Sequence, residues 1–381
     1  MNAVVDTDPI VQEEKHPARK TFSYNPNKVA HNLDKLGLGY FSPIARLIGN
    51  DEPAKQIREI LENTFLPLMA FAVFVAVWWI SSFYVVSDST KIPSPDETWR
   101  AWGGMVEFAQ AEKLKEVEYY KANEERALSM EQKAADAAAG GDATKAERYT
   151  GLAEKFRTKI YQGATTFFDQ IWISLITIVV GFSCSTLLGV PIGILCGVSK
   201  KINIALNPLI QLFKPVSPLA WFPIVFVFTT WGIEQPPSTS IWQRALWTSA
   251  GVVTLCSIWP TLINTAVAVA SIDKDFLNVA KVLKMGWFQK IWKIILPSAL
   301  PLIFTGLRLS IGVGWMVLVA SDMMAQNQGL GKFVWDMYQN GDTQSTAQII
   351  IAVFFIGAIG FLLDRIMLVC QRLVTFEEQN I

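Results

Sequence analysis

Residues 66–86 include no charged side chain, and the run is long enough, at ~1.5 Å per helical residue, to cross a bilayer core of ~30 Å. Backbone in hydrocarbon must satisfy its own hydrogen bonds, so a run of this kind folds as a helix. Five more runs follow, at 171–198, 206–231, 246–270, 299–321 and 348–370. The chain is therefore expected to be all-α and polytopic, with about six transmembrane helices. Charged residues make up only 17% of it, against about a quarter in soluble domains. A formal net charge of zero leaves no basic footprint for nucleic acid. Cys184, Cys196, Cys256 and Cys370 all fall in or beside apolar runs, with no metal-ligand spacing, and are read as buried thiols. The first run begins too deep for a cleavable signal peptide.

The polar segments divide the chain. Residues 1–45, with Pro9, Pro17, Pro26 and Pro43, are expected to be a disordered tail. Residues 51–64 read as an interfacial helix with Pro53 in its first turn, which makes 1–64 one N-terminal tail and 65–86 the first span. Trp78, Trp79 and Tyr84 mark the far end of that span as interface aromatics. Lys200 and Lys201, then Lys274, Lys281, Lys284, Lys290 and Lys293, then Arg365 and Arg372 fall on one side of the membrane. The positive-inside rule makes that side, and both termini, cytoplasmic.

Residues 87–168 are then extracytoplasmic. They are rich in Ala, Glu and Lys, which favour helix, and are broken at Gly140-Gly141. Thr144-Lys-Ala-Glu147 reads as a capping box, so a helical hairpin over 105–138 and 144–165 is expected, with little apolar surface of its own. Residues 169–375 form the membrane core, with a cytoplasmic loop at 272–297.

Within the core, Gly189, Gly193 and Gly197 recur every four residues, a spacing that lets helix backbones approach closely. The third run is interrupted by Lys214-Pro-Val-Ser-Pro218 and again by Pro223. Freed backbone within a membrane is tolerated where protein or a water-filled cavity covers it, so this run either lines a pathway or is a kinked helix without a transport role. Between the fourth and fifth runs lies a basic amphipathic block, 278–297. Phe276, Val279, Ala280 and Leu283 form one apolar stripe, and Phe288, Ile291, Trp292 and Ile295 another. Two short helices joined at Gly286 are expected. They would dock a soluble protein or lie on anionic lipid.

The block resembles the cytoplasmic E-A-A-x3-G-x9-I-x-L-P loop of type I ABC importer permeases. Asn278, Val279 and Ala280 stand for E-A-A, and Ile294 and Leu296-Pro297 match the ending. The family's glycine falls on Lys284, with Gly286 two residues later. Asn207-Pro-Leu-Ile-Gln-Leu-Phe-Lys-Pro-Val-Ser-Pro-Leu-Ala-Trp-Phe-Pro223 resembles a segment of the nitrate/sulfonate/bicarbonate branch. Gly306-Leu-Arg308, Gly329-Leu-Gly331 and Leu363-Asp-Arg365 continue the likeness, which covers about 65–375. Asn278-Val-Ala280 and Phe333-Val-Trp-Asp-Met-Tyr-Gln-Asn340 resemble the nitrate and bicarbonate permeases most. The segment 87–168 is longer than that branch has.

The resemblance implies the type I importer permease fold in a bacterial inner membrane. It implies two permease copies around a pathway, an extracytoplasmic solute-binding protein, and cytoplasmic ATPases gripping a loop that contains Asn278, Val279, Ala280, Leu283, Gly286, Trp287, Leu296 and Pro297. The chain has no G-x-x-x-x-G-K-[ST] loop, so it needs no cofactor of its own and ATP belongs to partner subunits. Nor do the spans contain a residue set suited to catalysis. Nitrate is the expected solute. Bicarbonate, cyanate or a sulfonate such as taurine is the alternative, and a non-transporting scaffold the more distant one. Candidate pathway residues are Lys214, Pro218, Trp221, Arg308 and Trp315. For Arg308, attraction of an anion stands beside pairing with Asp322 or Asp364, or snorkelling; for the two Trp residues, lining stands beside packing.

Overall fold

The computed structural model describes residues 29, 46, 58, 61–85, 91–234 and 242–378. The expected tail and the interfacial helix over 51–64 lie almost wholly outside these. The chain divides into two units, Met1–Leu68 and Met69–Ile381. In the first, Leu61–Phe65 form a π-type turn, and the Arg58 guanidinium donates to Glu62 at 2.9 Å.

Helix α1 (Leu66–Tyr84) is the first apolar helix. Pro95 opens α2 (Pro95–Ala139), and α3 (Ala143–Thr158) runs back beside it. Then come α4 (Phe167–Val198), α5 (Lys200–Phe213), α6 (Pro218–Gly232) and α7 (Arg244–Ala270). Short α8 (Lys274–Val282) and α9 (Trp287–Lys290) precede a π-type turn, Ile291–Ile295, that leads without a break into α10 (Leu296–Ala325). The chain continues through α11 (Leu330–Asn340) and α12 (Thr343–Glu378). Among the described residues five helices are long and apolar enough to cross a membrane, or six if the bent pair α5–α6 is counted as one span. The all-helical expectation and its six runs agree with this.

The centre of the fold is a seam between α4 and α7. A Cβ added at Gly189 would come within 2.9 Å of Thr261, at Gly193 within 2.6 Å of Thr265, and at Gly197 within 2.5 Å of Val269. The four-residue register extends to Gly181, where a Cβ would meet Val253 at 2.7 Å. Backbones this close admit polar bonds between helices: the Thr254 hydroxyl donates to the Gly181 carbonyl at 3.1 Å. On its other side α7 holds α10. The Ser310 hydroxyl donates to the Ser257 carbonyl at 2.8 Å and lies 2.6 Å from the Thr261 hydroxyl. Helix α6 rests on α7 as well, through Val225 against Gly251 and a 2.8 Å contact between the Thr229 and Thr248 hydroxyls.

The insert departs from expectation at both ends: it becomes helical earlier, and its second helix stops at Thr158 and does not reach 165. Helix α2 starts at Pro95, ahead of residue 105, and its first turns carry the apolar surface that the middle of the segment lacks. Ala101 and Met105 join the main core, and Trp102 stacks on Phe355 at 5.0 Å while packing edge-on to Phe167. Thr144 and Glu147 do not cap α3. That helix begins at Ala143, so Asp142 is its N-cap and accepts from the Lys145 amide at 3.1 Å. Before it, Gly141 takes φ +81°, the left-handed backbone that ends α2. The hairpin closes on small residues, with Ala127, Ala134 and Ala153 buried. Arg157 clasps both Glu124 and Glu131, which raises the guanidinium pKa.

A second latch ties the irregular stretch after α3 to α2. Glu112, 7% exposed, accepts from the Tyr161 hydroxyl at 2.8 Å and the Ala164 amide at 2.9 Å. The Tyr161 bond first, then the Ala164 amide and Lys115, hold its carboxyl below the ordinary 4.5. A depressed folded value means that the latch is complete above pH 4.5 and is lost as pH falls through the lower folded value. Glu112→Gln should lower the protection of amides at 161–164 at neutral pH, relative to their intrinsic exchange rates, to what the native chain shows only in acid. Hydrogen-exchange mass spectrometry reads this. At the seam, Gly193→Val should lower stability by ~1–3 kcal/mol through overpacking, seen as a lower unfolding midpoint in detergent.

Candidate coupling segment and pathway

The segment between α7 and α10 turns on one strained residue. Helix α8 ends in a Schellman motif: the Met285 amide donates to the Ala280 carbonyl and the Lys284 amide to the Lys281 carbonyl, both at 3.0 Å. The motif needs a left-handed residue at its penultimate position, and Lys284 supplies it at φ +47°. This is the position at which the resembling loops have glycine. Gly286 is not the joint. Its φ of −66° and ψ of 161° are ordinary extended backbone at the N-cap of α9, and a Cβ there would meet nothing within 4 Å. The displaced glycine is thus no substitute for the missing one, and the chain bears the cost of a lysine in the left-handed region, about 1 kcal/mol.

The apolar stripes face differently from the expected arrangement. Among the described side chains of α8 only Ala280, 2% exposed, points inward with the partly buried Leu277; Phe276, Val279, Asn278 and Val282, at 81%, are exposed, as is Leu283 at the C-cap. In the second stripe Ile291 and Ile295 turn inward while Phe288 and Trp292 stay exposed, beside exposed Trp287. Inward positions lie on the side where α8 rests on the turn Ile291–Ile295, and that side is narrower than the apolar arc of the sequence. The result is an outward surface of large apolar side chains among exposed Lys281, Lys284 and Lys293. Leu296 and Pro297 open α10, Leu296 half-buried and Pro297 exposed.

The third crossing is bent by 105° between α5 and α6. Pro215 and Pro218 remove two donors there, Lys214 is the exposed C-cap of α5, and the Ser217 hydroxyl accepts from the Leu219 amide at 3.3 Å. Pro223 does not interrupt: α6 starts at Pro218, so only the bond to the Leu219 carbonyl is forgone. Trp221 packs on Phe213 at 5.6 Å, and Phe213 stacks on Trp259 at 6.3 Å. Both indole nitrogens are buried, and among the described residues neither has a hydrogen-bond partner. Sequence reading found Trp221 but missed Trp259, which sits mid-helix in α7 with no motif around it.

Arg308 and Trp315 belong to a different place, the contact of α10 with α12. The Arg308 guanidinium forms a bidentate pair with Asp364, at 2.5 and 2.8 Å. This is one of the two pairings foreseen, and Asp322 is not the partner. Trp315, 6% exposed, donates to the Ile356 carbonyl at 2.9 Å and lies against Gly360, which makes it a packing residue in this chain. Asp322 is fully buried and organises the far end of α10. It accepts from the Ser174 hydroxyl at 3.0 Å and the Asn327 amide at 2.8 Å, while Ser174 accepts from the Leu330 amide. A Cβ at Gly329 would lie 2.2 Å from the Asp322 carboxylate, and one at Gly331 2.0 Å from the Val319 carbonyl. That explains both glycines of the Gly329-Leu-Gly331 motif.

Comparison with known proteins follows the same elements. Residues 189–375 match the family described as binding-protein-dependent transport system inner membrane component. The nitrate import permease protein NrtB of Synechococcus elongatus is 38% identical over 206 residues, which cover 54% of this chain and 69% of that protein. The chain belongs to this family. The bicarbonate transport system permease protein CmpB of the same organism is 39% identical over 206 residues, covering 54% of this chain and 68% of it. The taurine transport system permease protein TauC of Escherichia coli is 30% identical over 210 residues, covering 55% and 70%. Among solved structures, the inward-facing MetNI methionine ABC transporter aligns with a TM-score of 0.46 at 17% identity, over 55% of this chain and 95% of that one. By its family and its permease relatives the chain is a multi-pass membrane permease; the segment between α7 and α10, α10 itself and most of α12 lie inside the family match, and the α2–α3 insert lies outside it.

In this permease Lys284→Gly should relieve the left-handed strain and slow amide exchange over 279–286, a gain of up to about 1 kcal/mol. Gly286→Ala should leave exchange in that loop unchanged.

Proposed function

We propose that the permease forms the translocation pathway of a binding-protein-dependent ABC importer for a small anion, with nitrate (or nitrite) the solute. The observation that carries this reading is the 38% identity to a nitrate import permease over 206 residues, 69% of that protein. Bicarbonate is the second reading, since a bicarbonate permease is as similar. In the proposed assembly two copies of the chain enclose the pathway, and an extracytoplasmic binding protein delivers the solute. ATPase subunits grip the outward face of α8 and α9 and hydrolyse the ATP, so this chain itself is no enzyme. The lysine-bearing loops, including Lys200, Lys201 and the coupling segment, face the cytoplasm of a bacterial inner membrane, as do both termini.

The candidate pathway residues then divide by their surroundings. Lys214, Pro218 and Trp221 flank the bend, where buried indole donors without partners suit a weakly hydrated oxyanion better than a cation. Arg308 is already neutralised by Asp364 and serves helix pairing. Of the coupling residues, Val279, Leu283 and Trp287 meet the ATPase, while Ala280 holds α8 in place.

Uptake of isotope-labelled nitrate should be lost on deleting the gene and restored with it, with excess nitrate or nitrite competing and taurine not competing. Competition by bicarbonate alone would transfer the assignment to the second reading. Leu283→Asp should abolish both uptake and co-purification of the ATPase while leaving the permease in the membrane; retention of the ATPase would sink the docking role. The exposed site is the better probe, because a charge at buried Ala280 would disturb α8 itself.

A further inference from the structure

A cavity of about 570 Å³ lies where the insert meets the core, and nothing in the transport reading uses it. Gly104, Met105 and Phe108 of α2 form one wall. The start of α4, the α10–α11 link, α11 and the start of α12 form the rest. Its volume falls in the range of small-molecule sites.

Its polar lining is unusual in being rich in charge-free amides. Gln170, Gln328, Gln344 and Gln348 all contribute. Gln170 is 8% exposed, and its Oε1 is buried without a hydrogen-bond partner among the described residues. Buried amide oxygens are rarely left so, and Gln170 is one of the residues lining the cavity, so a ligand donor that reaches its amide would complete it. One turn of α11 adds Lys332 and Asp336, paired with each other across i,i+4 and both partly exposed. The lining is therefore net neutral, yet it holds a positive and a negative group side by side. Pairs of this kind are weak, so both groups can be drawn to a ligand. Phe167, Phe333 and Met337 give it an apolar floor.

We propose that this cavity binds a zwitterionic group, an ammonium next to an oxyanion. Asp336 takes the ammonium, Lys332 the oxyanion, and Gln170 a further donor. A net-neutral lining gives no long-range attraction to nitrate or to a lone cation, whereas a ligand carrying both charges replaces the internal pair bond for bond. The cavity lies at the start of α4, the link after α10 and the start of α12, so a bilayer spanned by these helices would place headgroups near it. The shared chemistry has two sources, a phosphatidylethanolamine headgroup or a free amino acid. The proposal does not depend on the identity of the transported solute.

The test uses the purified full chain. In detergent, its unfolding midpoint is measured against glycerophosphoethanolamine, L-glutamine, ethanolamine, phosphate and nitrate. Saturable stabilisation by either zwitterion, and not by the last three, is expected. Gln170→Met and Lys332→Met should each weaken it at least about tenfold. Should Gln170→Met fold poorly, Gln344→Ala at the rim provides the second variant. Nanodiscs separate the sources: phosphatidylethanolamine should block L-glutamine binding and phosphatidylglycerol should not if the lipid is the occupant, whereas equal binding in both assigns a free amino acid. No stabilisation by either zwitterion, equal stabilisation by phosphate or ethanolamine alone, or binding indifferent to the variants would overturn the proposal.

Discussion

Everything in the core hangs on the close approach of α4 and α7. Lipid gives helices little hydrophobic reason to associate, so contact area and interhelical polar bonds must hold them. The seam obtains both from one device, a four-residue register on α4 of Gly181, Gly189, Gly193 and Gly197 that faces Val253, Thr261, Thr265 and Val269 on α7. Close backbones place Thr254 within reach of the Gly181 carbonyl and leave the other face of α7 free to bind Ser310 of α10. Helix α10 then presents Arg308 to Asp364 on α12 and Asp322 to Ser174 on α4, which closes the ring of helices. Widening the first contact would loosen each of the later ones.

The polar bonds differ in how far they tolerate exposure. Arg308 and Asp364 are each about a third exposed, and two parallel bonds fix their geometry. Asp322 has no cation within bonding distance among the described residues and relies on uncharged donors, packed so tightly that Gly329 and Gly331 admit no side chain. The first arrangement leaves room for water; the second is a dry joint whose pieces come from three helices and the link after α10.

Several features were legible because they are written in local spacing. The glycine repeat, the prolines of Lys214–Pro218 and the uncharged runs each prescribe a structure from a few neighbouring residues. What escaped reading depends on distant partners. Glu112 is one acid among many until Tyr161 and Ala164 return to it, and Trp259 is one aromatic in an apolar helix until Phe213 stacks on it. The outward turn of α8 was hidden because its apolar arc is wider than the side that packs, and periodicity alone does not say which part is covered. Lys284 is instructive in another way. The resemblance marked its position as a glycine's, and the left-handed φ gives the physical reason, which composition could not.

Between Trp287 and Ala325 the chain is helical throughout, passing from α9 through the π-type turn into α10. At ~1.5 Å per residue that is a rod of nearly 60 Å. Its outer end bears exposed Trp287 and Trp292, its middle crosses α7 at Gly306 and Ser310, and its far end is held at Asp322. A rod gripped near its middle behaves as a lever. Displacement at one tip must appear at the other with opposite sense unless the shaft flexes, and two places along it are less firmly bonded: the five-residue π turn and Pro301, which forgoes a helix bond. Stiffness at those two places therefore sets how much of any displacement at one tip arrives at the buried carboxylate.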